Sequence, residues 1–157
     1  FENWPGDRGV GPFGDGASLA VTPETWGLMF EAVPSSVMGL ELDPSHLIWQ
    51  KIDSHLALDE FAERVHVIHA KDTEIFDGRI KRDGVFRRSS RGWGHWGRYR
   101  LPGFAHFDWQ KLFIMCYERQ IECPIIIEHE DQVFSGERRL EGLSQSGKFL
   151  RNCLLQA

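Results

Sequence analysis

The chain has 157 residues, a formal net charge of −5, 41% hydrophobic residues and 26% charged residues, a composition for one globular domain with its own core across residues 1–157. The acidic balance argues against a nucleic-acid partner, and no apolar run approaches the ~18 residues of a membrane span. Three cysteines without C-x-x-C spacing rule against a disulfide framework or a zinc knuckle and fit a reducing, cytoplasmic setting.

Phe1-Glu2-Asn3 reads as the end of a strand, and residues 3–21, with five of the sixteen glycines, read as a loop. Thr22-Pro23-Glu24 starts a helix: a capping hydroxyl, proline at the first position, then an acid at the positive dipole end. Trp26, Met29, Phe30 and Val33 give it one apolar face, and Pro34-Ser35-Ser36 ends it. Val37–Leu42 predicts a strand that stops at Asp43-Pro44-Ser45-His46. A helix is expected over Ser54–Glu63 and a second strand over Arg64–Ile68, which stops at His69-Ala70-Lys71-Asp72.

Asp72–Phe104 is rich in Gly and Arg and too long for an ordinary βα connection, so a lid or a disordered loop is expected there. Its basic cluster, from Arg79 through Lys81, Arg82, Arg87 and Arg88 to Arg91, reads as a solvated surface. Asp108 caps a helix whose buried stripe is Trp109, Leu112, Phe113 and Cys116. Ile125-Ile126-Ile127 predicts a strand buried on both faces that stops at Glu128-His129-Glu130-Asp131. A last helix, Glu137–Leu154, is expected to turn Leu140, Leu143, Leu150 and Leu154 inward.

This βα alternation argues for a parallel sheet, and polar residues at the carboxyl ends of successive strands are the layout of an α/β barrel active site. A whole (β/α)₈ barrel takes ~250 residues. With no initiator Met and an opening inside a strand, the expectation is the C-terminal half of such a barrel, about four βα units. Neighbouring strands would bring Glu2, Asp43, His69 and Glu128 together. Three carboxylates and one imidazole suit one divalent cation, Mn²⁺, Mg²⁺, Co²⁺ or Zn²⁺, which would remove the repulsion among the acids. Lys71 has two readings, a substrate oxygen or phosphate contact and a salt bridge in the barrel mouth. His129 and Asp131 are expected to orient the ligands.

Glu2-Asn3, Asp43-Pro44-Ser45-His46, His69-Ala70-Lys71-Asp72, Glu128-His129-Glu130-Asp131 and Arg98-Tyr99-Arg100-Leu101-Pro102-Gly103 followed by Asp108-Trp109 together resemble the xylose isomerase-like TIM barrels, the sugar phosphate isomerase/epimerase superfamily. The resemblance implies that Glu2 and Glu128 bind the metal, manganese first among the candidates, and shuttle a proton on the carbon beside a carbonyl. It implies that Asp43 and His69 complete the metal shell and that His46 contacts a substrate oxygen. The family often draws a substrate-binding arginine from the region of Arg98 and Arg100. The expected substrate is a small carbohydrate or polyol, and the expected assembly is a homo-oligomer. An inosose dehydratase-like lyase would use the same metal and enediolate. An endonuclease IV-like nuclease would need three zinc ions and a D-x-H motif between His69 and Glu128, and none lies there. An inactive barrel fragment is the remaining alternative.

Overall fold

In the computed structural model, residues 1–5, 18–85 and 96–157 are described. Most of the glycine-rich loop and part of the basic cluster, with Arg87, Arg88, Arg91, Trp93 and His95, lie outside the described residues. Thr22 caps α1 (Pro23–Ala32): its hydroxyl accepts from the Thr25 N–H while Thr25 Oγ1 accepts from the Thr22 N–H, so two donors at the helix start are satisfied. Trp26 and Phe30 are buried with Met29 packed beside them, whereas Val33, past the last turn, is exposed.

Three strands form a parallel sheet in the order β1 (Leu40–Leu42), β2 (Val65–Ala70), β5 (Ile125–Ile127). Glu2 adds a parallel bridge to Glu41, so the opening residues lie where a further strand would. β1 is shorter than the sequence suggests. Pairing begins only where Phe1 and Val65 supply partners, and Val37 is 87% exposed. β2 instead runs longer, and His69 sits inside it, opposite Ile126. The crossovers carry α2 (Pro44–Ile48), α3 (Ser54–Glu60) and α5 (Trp109–Glu118), and α6 (Arg139–Leu155) follows β5.

Leu40, Leu42, Ile68 and Ala70 form the core with Trp109, Leu112 and Phe113 of α5 and Leu150 and Cys153 of α6. Burial of each large apolar side chain contributes about 1.5–3 kcal/mol. Cys116 is half-buried against this core, and burial pushes its thiol up to about 11, so it behaves as a small apolar group. Two expectations about burial change. Ile126 is 47% exposed, because β5 has β2 as its single neighbour among the described residues and its other side is uncovered. The buried stripe of α6 is Gly142, Ser146, Leu150 and Cys153, while Leu140 and Leu154 are exposed. Gly142 allows that close approach: a Cβ there would stand 2.6 Å from Phe134 and 2.7 Å from Leu101.

The largest correction concerns residues 72–104. The segment holds an antiparallel hairpin, β3 (Asp72–Ile75) with β4 (Gly97–Arg100), and α4 (Asp77–Asp83) between them. Its strands were hidden because polar residues occupy the positions that pair: Glu74 lies opposite Arg98, and Asp72 opposite Arg100. Gly97 lets the strands meet, since a Cβ would run into the Glu74 carbonyl. The hairpin docks on α2. Thr73 Oγ1 donates to the Ser45 carbonyl at 3.0 Å, and Trp96 stacks on Trp49 at 5.4 Å between ring centres. Among the described residues no helix is long and apolar enough to cross a membrane.

Candidate metal centre

Each side chain of the centre is delivered by the end of a strand. Asp43 follows β1 and caps α2, with Oδ1 accepting from the Ser45 N–H at 2.8 Å; this leaves Oδ2 pointing elsewhere. Asn3 clamps the Asp43 backbone at two points, donating from Nδ2 to the carbonyl at 2.9 Å and accepting the N–H on Oδ1 at 2.6 Å. It thereby ties the Glu2 stub to the end of β1. His69 is oriented by Glu41, whose Oε1 is 2.7 Å from Nε2. The other ring nitrogen, Nδ1, then lies 3.4 Å from Glu2 Oε1 and 3.2 Å from Glu128 Oε2.

One ligand atom from each of Glu2, Asp43, His69 and Glu128 lies within 4.8 Å of the other three. Three buried atoms of the set, Glu2 Oε1, Asp43 Oδ2 and His69 Nδ1, have no hydrogen-bond partner. Buried polar atoms are nearly always paired, and three unpaired ones this close together suit one shared cation. Oxygen donors with one imidazole are the donor set of a hard or borderline divalent ion. The residues present therefore fit one such ion.

The electrostatics agree with that fit. Burial pushes the Asp43 carboxyl up from its ordinary range. The His46 ring beside it leads the effects that hold Glu2 below its ordinary range, ahead of the opposing effect of burial. Lys71, 1% exposed, sets its ammonium 2.8 Å from Glu128 Oε2, 3.0 Å from Asp43 Oδ2 and 3.2 Å from Glu130 Oε2. Burial alone would lower its pKa, yet Asp43, Glu128 and Glu130 together raise it, so it stays charged. Of its two readings, the salt bridge in the barrel mouth is the arrangement seen. The Asp43 contact falls outside hydrogen-bond geometry, which is why Oδ2 remains unpaired beside it.

His46 is buried, with Nε2 3.4 Å from Glu2 Oε1 and 3.3 Å from Asp43 Oδ2. Arg98 and Arg100 lie on the hairpin and outside the donor cluster. Arg98 Nε is 2.6 Å from Glu74 Oε2; Arg100 reaches the same oxygen at 2.9 Å and Asp131 Oδ2 at 2.8 Å. His129 and Asp131 do not orient the ligands. His129 Nε2 contacts the Phe134 carbonyl at 2.8 Å, and Asp131 takes Arg100. Glu41 and Asn3 do that work. A signal for Glu41 was present in the sequence: a lone acid between two leucines of a strand, two residues before Asp43.

A cluster of metal-competent side chains at the carboxyl ends of parallel strands defines an α/β barrel with its site at the usual end. Residues 1–153 match the family described as "Xylose isomerase-like TIM barrel", and the chain belongs to that family. It is 29% identical over 152 residues to "Uncharacterized protein YfiH" of Bacillus subtilis (strain 168), covering 89% of this chain and 45% of that protein. The crystal structure of a xylose isomerase domain protein from Planctomyces limnophilus aligns with a TM-score of 0.55 and 22% identity, over 84% of this chain and 44% of that one. The chain thus spans less than half the length of either relative, and the fold is that of a partial TIM barrel.

Proposed function

We propose that this chain carries the metal and proton-transfer site of a sugar or polyol isomerase/epimerase, with Mn²⁺ as the preferred ion. The observation that supports this reading is the convergence of Glu2, Asp43, His69 and Glu128 with three unpaired, buried ligand atoms. These four side chains would hold the ion. When bound, the ion supplies Lewis-acid polarisation of a carbonyl and its neighbouring hydroxyl, which acidifies the C–H between them.

Glu2 and Glu128 each turn one oxygen to His69 and keep a second for a proton. One takes the proton from the carbon beside the carbonyl, leaving an enediolate. The proton returns to the neighbouring carbon in an isomerase, or arrives from the opposite glutamate on the other face in an epimerase. His46, packed against Glu2 and Asp43, offers a contact for a substrate oxygen, while Lys71 stays bridged to Glu128, Asp43 and Glu130 and offsets their charge. Arg98 and Arg100 are engaged by Glu74 and Asp131 on the hairpin, so this reading rests on Glu2, Glu128 and His46 and not on a substrate-binding arginine.

The test is solvent exchange. A panel of aldoses, ketoses and keto-polyols is incubated in D₂O with Mn²⁺, and deuterium at the carbon beside the carbonyl is followed by NMR. Positioned acid–base groups typically contribute 10²–10⁴-fold, so Glu2→Gln or Glu128→Gln should each lower exchange by at least ~10²-fold with an unchanged circular dichroism spectrum. Near-normal exchange in either variant would overturn the two-glutamate reading.

A further inference from the structure

A buried ammonium inside a cation site is unexpected, because it stands where it repels the ion. Lys71 follows β2 directly and precedes β3, and its N–H donates to the His69 carbonyl at 3.1 Å. Successive residues of extended chain face opposite sides. Asp72 meets the Trp109 indole N–H, so Lys71 is sent the other way, into the centre. There it donates to Glu128 Oε2 at 2.8 Å and lies 3.0 Å from Asp43 Oδ2. These are two atoms an ion would use: Asp43 Oδ2 is buried and unpaired, and Glu128 Oε2 is 3.2 Å from His69 Nδ1.

A surface lysine would swing into water when a cation arrived. Lys71 is enclosed instead. It is 1% exposed, and the Tyr99 ring lies over its ammonium with its centre 4.7 Å away. Tyr99 is itself 6% exposed and backed edge-to-face by Trp96 at 5.6 Å between ring centres. The His46 Nε2 stands 3.5 Å from the same ammonium, and Glu130 Oε2 3.2 Å from it. The charge is therefore fixed beside the ligand oxygens. Its repulsion of an ion grows in proportion to the ion's own charge, so a trivalent ion is penalised half as much again as a divalent one at the same point.

We propose that Lys71 is the specificity-determining residue of the metal centre: a fixed internal cation that discriminates against highly charged ions and so reserves the three carboxylates for a divalent one. Without it, Glu2, Asp43 and Glu128 would favour a trivalent ion most strongly, since their attraction also grows with its charge. In the empty site the same ammonium offsets the repulsion among the acids. This deepens the metal-site reading and rests on it. It makes no choice among divalent ions, whose charge is the same.

The test is calorimetric titration of the full chain with Mn²⁺ and, separately, with La³⁺, in the wild type, Lys71→Met and Lys71→Gln, with circular dichroism to follow the fold. Both neutral variants should raise the affinity for La³⁺ relative to Mn²⁺ by roughly tenfold or more over the wild type. Without metal they should melt below the wild type, and either ion should restore them. A stem that merely fills space would lower the melting temperature and leave the ratio of affinities where it was. A ratio unchanged or lowered in both neutral variants would therefore overturn the proposal, and so would neutral variants that stay unfolded with both ions supplied. If the wild type binds neither ion, the metal-site reading falls and the role of Lys71 falls with it. If the wild type binds Mn²⁺ and the ratio does not move, the metal site stands and only the role of Lys71 is lost.

Discussion

Two acidic clusters lie a few residues apart in this chain and are built on opposite plans. At the hairpin, Glu74 and Asp131 are matched atom for atom by Arg98 and Arg100, and Asp131 also accepts the Leu101 and Val133 N–H groups. The Arg98 hydrogen bond holds Glu74 below its ordinary range. Burial pulls Asp131 upward, but Arg100 and the two backbone donors outweigh it. At the ends of the parallel strands, Glu2, Asp43 and His69 each keep a buried atom unpaired, and burial leaves Asp43 raised. The first cluster is complete and holds the hairpin to the segment after β5. The second leaves buried ligand atoms unpaired, which the proposed cation would satisfy.

Breaking the complete cluster should have the largest effect on stability. Asp131→Ala strands the Arg100 guanidinium, 10% exposed, without its buried partner. It should lower unfolding free energy by about 3–5 kcal/mol in urea titrations. A loss below about 1 kcal/mol would mean that the latch contributes little. Asp43→Asn offers the contrast: it replaces a buried carboxylate that burial disfavours with a neutral amide, and without metal it should cost much less than Asp131→Ala, even though Lys71 loses a partner at 3.0 Å.

A second effect sharpens the comparison through pH. Burial raises the Asp72 carboxyl to about 6 from an ordinary 3.8, although it accepts the Thr73 N–H at 2.7 Å and faces the Trp109 Nε1–H. The folded chain therefore holds a proton there that the unfolded chain has released, so this group's contribution falls as pH rises from about 4 to about 6. The difference in stability between wild type and Asp72→Asn should change by about 2–3 kcal/mol across that window, with the variant gaining relatively at higher pH. A constant difference would contradict the buried carboxyl. The smallest effect is expected at the rim. Arg98 and Glu74 are 37% and 30% exposed, and Arg98→Ala should cost no more than about 1 kcal/mol by the same titration.

How far the sequence could be read follows the same division. The strand ends were legible, because an apolar run stopped by Asp, His or Glu is a local pattern; Asp43, His69 and Glu128 all lie at the site. The helices capped by Thr22 and Asp108 were legible for the same reason. The hairpin was not. Its pairing depends on a cross-strand Glu74–Arg98 match over 20 residues apart, and charged strands look like loop. Tyr99 was hidden within it, since alternation means nothing until the strand is known. Glu41 and Asn3 support ligands across strand neighbours, contacts that no single segment displays. The α6 stripe was misread because Gly142 and Ser146 are not apolar, yet they face inward to admit Phe134 and the Pro102 carbonyl.

The central claim is that the unpaired cluster is a single-cation site, and calorimetric titration of the chain with Mn²⁺ tests it most directly. The expected result is one equivalent bound by the wild type, with Asp43→Asn weakened by more than the ~10–100-fold typical of a residue that merely supports a ligand. No binding by the wild type, or equal affinity in Asp43→Asn, would contradict it.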